Sequence, residues 1–369
     1  MISFDLTEEQ RMIRDTVVAF AAAEIRPAAR PADETGAIPP PLIEQAWELG
    51  LVRGALPERF GGYGDARSAV TGAIVAEELA FGDLSIALHA LAPRLLAFPV
   101  MEFGTDPQRA RILADFAGDK FAAGTAAMVE PRFDFDASAL DTTATRDGSA
   151  FILDGVKCYV PLASDSATIL VFAATNRDAG FAGMDAFLIP RDTPGLTVSA
   201  REQNMGLKGL ATYEIKLEHC RVPADARLGG EQGINFARII GQSRVAMAAM
   251  AVGVAHAAYE YAKAYALERK AFGVPIATKQ AIAFMLAEMA IEIDATRLLV
   301  WEAATCLDRG EDALKESYQA RNYAAQSSLM VTDNAVQILG GHGYIREHPV
   351  EMFLRNARGF AVLEGLATV

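Results

Sequence analysis

The sequence predicts a mainly helical α+β protein in which two helical regions enclose a small β domain. Three observations support this prediction: apolar residues recur at helical spacing early in the chain, short strand-like runs follow, and long Ala- and Leu-rich segments return later. We expect three domains: an N-terminal helical domain over residues 1–120, a middle antiparallel β domain over 121–228, and a C-terminal domain like a four-helix bundle over 229–369.

The N-terminal region carries local signals for the start and end of helices. Thr7 and Gln10 have the spacing of a capping box, in which each side chain satisfies a backbone N–H at the helix start. An apolar face follows up to Phe20, and Pro27 is expected to end this helix because proline lacks a backbone N–H. Further helices are predicted at residues 41–50, 68–80 and 107–116.

The middle region has the pattern of an antiparallel sheet or barrel. The turn dipeptides Asp147-Gly148 and Asp154-Gly155 separate short runs of strand-forming residues. No helical pattern lies between these runs, which argues against parallel strands joined by helices. Strands are expected at residues 151–153, 156–160, 169–173, 186–189 and 213–217.

Three long helical segments are expected in the last third of the chain, at residues 233–268, 278–308 and 312–339. They are rich in Ala, Met and Leu, and the short connections between them favour an antiparallel bundle. We interpret the methionines as core residues, since this flexible side chain fills irregular spaces in a protein interior.

The composition argues against several classes of function. With 34 Lys and Arg against 47 Asp and Glu, the formal net charge is −13, which is unfavourable for binding nucleic acid. Three well-separated cysteines and five scattered histidines give no metal-site spacing. The longest apolar stretch, residues 245–255, is too short to cross a bilayer, so we expect no membrane span and a cytoplasmic location.

Several long segments resemble the acyl-CoA dehydrogenase family. They are AVQILGGHGYIREHPVEMFLRNARGFAVLEG at 335–365, ALERKAFGVPIATKQAIAFMLAEMA at 266–290, TEEQRMIRD at 7–15, LPERFGGYG at 56–64 and AEELAFGDLS at 76–85. The segments occur in the family's order and cover essentially the whole chain. The resemblance implies an FAD-dependent oxidoreductase that converts an acyl-CoA thioester into the trans-2-enoyl-CoA, with electron-transfer flavoprotein as the electron acceptor.

The same resemblance implies that Glu364 is the catalytic base. Removal of an α-proton needs a base within hydrogen-bond reach of the proton and a polarised thioester carbonyl. Some branches of the family carry the base at the position of Ser243, where serine cannot do this, and that favours Glu364. The positions that match substrate contacts are Arg244, Gly365, Phe135 and Leu91.

The adenine half of FAD is, by the same resemblance, bound partly by a neighbouring subunit. An arginine suits the pyrophosphate as a bidentate cation, and glycines allow a close backbone approach, although Gly340 and Gly341 also fit a helix C-cap and turn. A cofactor shared in this way implies a homo-oligomer, a dimer or a tetramer. The matching residues are Arg269, Phe272, Gln280, Gln337, Gly340 and Gly341.

The expected binding site of the flavin ring departs from the family's pattern. Val129 stands where relatives have threonine, Phe135 where they have serine, and Leu366 where they have threonine. Tyr159 and Pro161 begin and end a segment that is Trp-Ile-Thr in relatives, and proline offers neither an N–H nor a hydroxyl. Each lost hydrogen bond costs about 0.5–1.5 kcal/mol, so flavin affinity is expected to fall by roughly two to four decades.

Three interpretations of these departures stay open at this point. The first is a working FAD-dependent acyl-CoA dehydrogenase. The second is a subunit of a heteromeric dehydrogenase, in which a sister chain supplies the missing flavin contacts. The third is a non-redox relative, or one that acts on carrier-protein thioesters, with weakened flavin binding. Retention of Glu364 argues against a pure scaffold.

Overall fold

The computed structural model describes residues 5–64 and 67–369 and confirms the predicted fold class. Helices form both ends of the described chain, and one large sheet lies between them. The helices ahead of the sheet are α1 (Glu8–Phe20), α2 (Arg26–Thr35), α3 (Pro40–Glu48), α4 (Ala69–Gly82), α5 (Leu84–Leu91), α6 (Arg94–Phe103) and α7 (Asp106–Leu113).

The start of α1 matches its prediction, whereas the expected end at Pro27 is wrong. Thr7 Oγ1 accepts from the Gln10 N–H at 3.1 Å, and Gln10 Oε1 accepts from the Thr7 N–H at 3.0 Å, which is the capping box. A π-helical turn follows α1 over Ala21–Ile25, and the chain then continues into α2. Because this turn shifts the hydrogen-bond register, Pro27 occupies the second position of a new helix, where its missing N–H has no cost.

Within the described residues, seven strands form the central sheet, in the order β1-β4-β2-β3-β7-β6 with β5 on the other side of β4. Most neighbours are antiparallel, such as β3 with β7, while β1 runs parallel to β4 with Thr125 opposite Ile169. The sheet is therefore mostly, not wholly, antiparallel. Its strands are β1 (Thr125–Ala127), β2 (Thr143–Asp147), β3 (Ala150–Pro161), β4 (Thr168–Ala174), β5 (Met184–Pro190), β6 (Leu196–Arg201) and β7 (Thr212–Pro223).

The C-terminal helices pack around α8, which is apolar on nearly every side because it is surrounded. Gly253 of α8 lies so close to α4 that an added Cβ would sit 2.1 Å from the Glu77 carbonyl oxygen. Small residues on α8 thus set how closely the two helical regions approach. The elements are α8 (Phe236–Glu268), β8 (Lys270–Ala271), β9 (Val274–Pro275), α9 (Gln280–Asp308), α10 (Leu314–Leu339), α11 (Gly341–Tyr344) and α12 (Val350–Ala357).

Two helical stretches of the described chain are long and apolar enough to cross a bilayer by length and composition alone. They are Leu84–Phe103 and Phe236–Glu268, and their apolar windows are 89% and 94% buried inside the protein. Such burial is the property of core helices, whose apolar surface is already covered by other parts of the chain.

Candidate active site

A cleft of about 850 Å³ opens between the loop after β1, the end of β3 and the helices α8 and α10. The segment that follows α12 forms its inner wall. Five positions assigned from the sequence therefore meet in one place. The cleft residues that matter for the chemistry are Val129, Phe135, Tyr159, Arg244, Arg321 and Glu364.

Glu364 reaches this cleft because a short turn and a glycine fix the segment around it. A 3-10 turn over Arg358–Ala361 follows α12, and the Leu363 N–H donates to the Gly359 carbonyl at 2.9 Å. Gly365 has φ of +75°, and a Cβ at this position would lie 2.6 Å from Met128 Sδ. Only glycine meets both conditions, so Gly365 orients the residue before it.

The Glu364 carboxylate forms a buried ion pair with Arg244. Arg244 Nε donates to Glu364 Oε1 at 2.6 Å, and each side chain is only 8% exposed. Arg244 lies on the first turns of α8, and its guanidinium also sits 5.3 Å from the centre of the Tyr318 ring. The carboxylate is therefore fixed by a rigid helix and not by a mobile loop.

Arg321 is a second cation beside the same carboxylate. Its Nε lies 3.8 Å from Glu364 Oε1, and its Nη2 donates to the Leu363 carbonyl at 3.2 Å. Behind this group, Ser243 and Gly365 line an inner cavity of only about 10 Å³ together with Met128. The Glu364 carboxylate thus has the guanidinium groups of Arg244 and Arg321 beside it, and the inner cavity next to Gly365 is almost filled.

A buried Lys–Glu pair holds the loop on the other side of the cleft. Lys157 is 0% exposed, and its Nζ donates to Glu130 Oε1 at 3.0 Å and to the Met128 carbonyl at 3.1 Å. Glu130 also accepts the N–H groups of Asp141 and Thr142 at 2.7 and 2.8 Å. Burial lowers the pKa of Lys157 to about 8. Burial alone would raise the pKa of Glu130, but Lys157 and the two N–H donors hold it below its usual range.

Tyr159 presents an aromatic ring to the cleft from a strained backbone. Its φ is +54°, and its N–H donates to both carboxylate oxygens of Glu202 at 3.2 Å. The residue also lines an adjoining cavity of about 160 Å³ that Leu363 and Leu366 share. A non-glycine residue in this conformation costs on the order of 1–3 kcal/mol, which Glu202 offsets in part.

The other assigned residues lie elsewhere. Pro161 is buried at the end of β3, and Leu91 is buried in the main hydrophobic core at the end of α5. Gly365 contributes to the inner cavity. The assigned adenine-binding residues form a separate group at the far end of α8.

This separate group lies where α8 and α10 end. Arg269 caps α8, Phe272 is 95% exposed on the β8–β9 hairpin, and Gln280 begins α9. Gly340 ends α10, and the Tyr265 hydroxyl bonds to His342 Nδ1 at 2.8 Å, so α10 ends beside the last turn of α8. At 1.5 Å per helical residue, Arg269 is about 37 Å along α8 from Arg244. The remaining members of this group are Gln337 and Gly341.

The fold and the site together place a buried carboxylate in a cleft between a β domain and a helix bundle. The family descriptions Acyl-CoA dehydrogenase, N-terminal domain, middle domain and C-terminal domain match residues 7–120, 125–220 and 232–369. The chain therefore belongs to the acyl-CoA dehydrogenase family, as its motifs predicted, and it is an oxidoreductase.

Individual relatives agree with this assignment over the full length. The protein named Probable acyl-CoA dehydrogenase YngJ from Bacillus subtilis is 38% identical, over 100% of this chain and 97% of its own. The mitochondrial short-chain specific acyl-CoA dehydrogenase of Bos taurus is 36% identical, over 100% of this chain and 89% of its own. The solved structure of butyryl-CoA dehydrogenase from Megasphaera elsdenii has a TM-score of 0.88 at 31% identity, over 100% of this chain and 96% of that chain.

Sequence reasoning did not single out three parts of this site. Arg321 lies on α10, far along the chain from Glu364, and no local motif marks it. Glu202 carries no motif either, although its neighbour Tyr159 was assigned. Lys157 did have a signal, because a lysine inside a strand-forming run is expected to need a buried acidic partner.

Proposed function

We propose that this protein catalyses the FAD-dependent α,β-dehydrogenation of an acyl-CoA thioester to the trans-2-enoyl-CoA, with Glu364 as the base that removes the α-proton. The observation that carries the proposal is the buried Glu364 carboxylate, which Arg244 holds at 2.6 Å on the inner wall of the large cleft. A fixed carboxylate beside a cavity that can admit a thioester is what α-proton removal requires.

FAD is the cofactor that membership of the family implies, and the residues present fit it. Among the described residues the Arg269 side chain has no ion-pair partner, and an added Cβ at Gly340 or Gly341 would meet no atom within 4 Å. An unpaired exposed guanidinium beside open backbone and the exposed Phe272 suits a pyrophosphate and an adenosine.

The flavin ring would be held in the adjoining cavity beside Tyr159. The Tyr159 ring and the apolar Leu363 and Leu366 suit a flat aromatic ring system. Val129 and Pro161 offer no side-chain donor to it, so we propose that packing contributes more than hydrogen bonds at this end. When bound, FAD supplies an acceptor for the β-hydrogen and its electron pair.

The chain's own residues supply the acid–base part of the reaction. Glu364 Oε2, the oxygen that Arg244 Nε does not contact, takes the α-proton. Arg244 keeps the carboxylate in one orientation, and the Leu363 N–H bond to Gly359 fixes the segment that carries it. The loop held by Lys157 and Glu130 forms the opposite wall of the cleft.

A short acyl group is the substrate that the interior supports best. The inner cavity beyond Glu364 has only about 10 Å³, so a long acyl chain would have to displace core residues such as Leu95 and Phe172. The relatives named for short-chain acyl-CoA and butyryl-CoA agree with this choice. We therefore propose a thioester of about four carbons as the substrate to test first.

A second copy of the chain is part of the proposal. Arg269 lies about 37 Å along α8 from Arg244 in the cleft, which is longer than one extended dinucleotide can span. Two copies that exchange their surface groups would complete two sites, and this supports a homo-oligomer, a dimer or a tetramer. Electron-transfer flavoprotein as electron acceptor and the cytoplasmic location stay predictions.

The proposal is tested by the visible absorption spectrum of the purified protein, before and after excess FAD and then butyryl-CoA. A flavin band that bleaches on adding butyryl-CoA supports the dehydrogenase. A protein that stays colourless in excess FAD would contradict it and would favour the heteromer or the non-redox relative. Co-purification of a second, similar chain would single out the heteromer.

A further inference from the structure

We infer that the inner cavity next to Gly365 binds a hydroxyl group at the end of the acyl chain, and that Ser243 and Thr368 determine this specificity. The inference rests on the proposed function and deepens it, because it names the class of acyl group. That class is a short acyl thioester with an uncharged hydroxyl on its fourth carbon. Neither Ser243 nor Thr368 is among the residues assigned to substrate contacts from the sequence.

The first argument is that two buried hydroxyl groups without partners line the same cavity. Ser243 is 2% exposed and Thr368 is 4% exposed, and neither side-chain oxygen has a hydrogen-bond partner among the described residues. Both residues line the inner cavity. A buried hydroxyl without a partner is unfavourable, so a ligand oxygen that bonds to both groups would be bound strongly.

The hydroxyl of Ser243 also does not use the partner that a helix offers it. A serine or threonine inside a helix can bond to the carbonyl four residues earlier, and buried Thr296 does so, with a bond of 2.6 Å to the Glu292 carbonyl. Ser243 lies inside α8, and its Oγ has no partner of this kind. The Ser243 hydroxyl is therefore available to a group in the cavity.

The size and the lining of the cavity restrict the group that fits. Its volume of about 10 Å³ holds about one water or hydroxyl oxygen, and it is too small for a carboxylate or an amide. No lining residue that the structure describes carries a charge, and the remaining side chains are apolar, such as Leu95, Met128 and Phe172. An ionised group would lose its hydration there without a counter-ion, so the cavity favours an uncharged hydroxyl.

The cavity lies where the end of a four-carbon acyl chain is expected. Gly365 lines it and directly follows the proposed base, Glu364. Ser243 precedes Arg244, whose Nε holds the Glu364 carboxylate at 2.6 Å. An acyl chain whose α-carbon faces Glu364 and whose tail points into the interior therefore meets this cavity first. The part of the substrate that reaches the two hydroxyls is the end of the chain and not the thioester.

The test compares two trans-2-enoyl-CoA compounds that differ only at the end of the chain. The compound trans-4-hydroxybut-2-enoyl-CoA carries a hydroxyl where trans-pent-2-enoyl-CoA carries a methyl group of similar size. The trans double bond prevents the hydroxyl from closing onto the thioester as a lactone. The dissociation constants of both compounds are measured on the FAD-loaded protein from the change in the flavin spectrum on binding, so the measurement needs no turnover.

The proteins compared are wild type, Ser243→Ala, Thr368→Val, the double variant and the control Ser328→Ala. Ser328 on α10 is 1% exposed, and its hydroxyl also lacks a partner among the described residues. It lines neither the inner cavity nor the cleft, so it is a matched buried hydroxyl outside the site. The flavin spectrum of each variant checks that it is folded and loaded.

We expect wild type to bind the hydroxylated compound roughly 10- to 100-fold more tightly than the methyl analogue, because the hydroxyl makes two hydrogen bonds that the methyl group cannot make. Each single variant should reduce this preference by roughly 3- to 10-fold. The double variant should bind both compounds about equally, and Ser328→Ala should keep the wild-type preference.

Two results would overturn the inference. One is equal or tighter binding of the methyl analogue by wild type, which would mean that the two hydroxyls hold only an ordered water molecule. The other is a preference for the hydroxylated compound that the double variant retains, which would place its hydroxyl elsewhere in the protein. A protein with the expected preference whose flavin does not bleach with butyryl-CoA would instead contradict the proposed function, so the two failures are distinguishable.

Discussion

Arg244 Nε and Glu364 Oε1 lie 2.6 Å apart, and both side chains are almost fully buried. Arg244 lies on the first turns of α8, and Glu364 lies in the segment that follows α12. The pair therefore ties the two ends of the C-terminal region together at the site of the proposed proton transfer.

This pair predicts strong coupling between two substitutions. Arg244→Met removes the nearer of the two cations beside the buried Glu364 carboxylate, leaving only Arg321 at 3.8 Å, and should destabilise the protein by about 3–5 kcal/mol. Arg244→Met combined with Glu364→Leu should recover much of that loss, because neither charge remains buried. Chemical denaturation of both single variants and the double variant measures the coupling. Additive free energies of unfolding would mean that the two residues do not form this pair.

Gly365 gives a prediction that separates catalysis from stability. In Gly365→Ala the new methyl group would meet Met128 Sδ at 2.6 Å, so the segment with Glu364 must move. We expect kcat to fall by at least about 100-fold, because a shift of about 1 Å in a catalytic group has this effect.

The matched control for that variant is Gly148→Ala. Gly148 has φ of +59° and nothing within 4 Å of an added Cβ, so this variant carries the backbone strain without the clash. It should lose about 1 kcal/mol of stability and keep full activity. If Gly365→Ala were as active as Gly148→Ala, the position of Gly365 would not orient the base.

Glu78 predicts a dependence of stability on pH. Burial and the neighbouring Glu77 raise the pKa of Glu78 from 4.5 to about 7 in the folded protein. The folded state therefore binds a proton more tightly than the unfolded state, and the protein loses stability as pH rises from about 4.5 to 7. Glu78→Gln removes this loss.

The measurement is the melting temperature of both proteins between pH 5 and 8. The advantage of Glu78→Gln over wild type should be smallest at pH 5 and should grow up to pH 7–8. Glu48→Gln, an exposed carboxylate on α3, controls for the lost charge itself. A constant difference between Glu78→Gln and wild type at every pH would contradict the raised pKa.

The shared cofactor site predicts complementation between two inactive variants. Glu364→Gln lacks the base, and Arg269→Gln lacks the proposed pyrophosphate contact, so each homo-oligomer should have low activity. In a mixed oligomer, one site would combine an intact Glu364 from one copy with an intact Arg269 from the other. Co-expression should therefore restore up to about half of the activity per mixed dimer. No recovery in verified mixed oligomers would mean that each chain binds FAD alone.

Local features of the sequence predicted those parts of the fold that depend on neighbouring residues. The capping box of Thr7 and Gln10 is one example, since both partners lie within one helical turn. Pro27 is the opposite case: the π-helical turn before it lies where Ile25 packs under α4, and Gly82 comes close enough for this contact. Packing of Ile25 against Gly82 of α4 thus accompanies the continuation of the helix, and this tertiary contact cannot be predicted from the spacing of residues along the chain.

The same distinction applies to the site. The resemblance to the family assigned Glu364, Arg244 and Tyr159 to the site, and all three residues line one cleft. The position of Arg321 beside Glu364 and the pairing of Lys157 with Glu130 follow from the tertiary packing of strands and helices. No motif of fixed spacing in the sequence predicts either contact.

The most direct test of the account is the reaction of Glu364→Gln with butyryl-CoA, followed by flavin absorbance. Glutamine can still accept the bond from Arg244, so the fold and bound FAD should be retained, which the flavin spectrum checks. We expect a normal flavin band that does not bleach, because nothing removes the α-proton. Bleaching at the wild-type rate would contradict Glu364 as the base and with it the central claim.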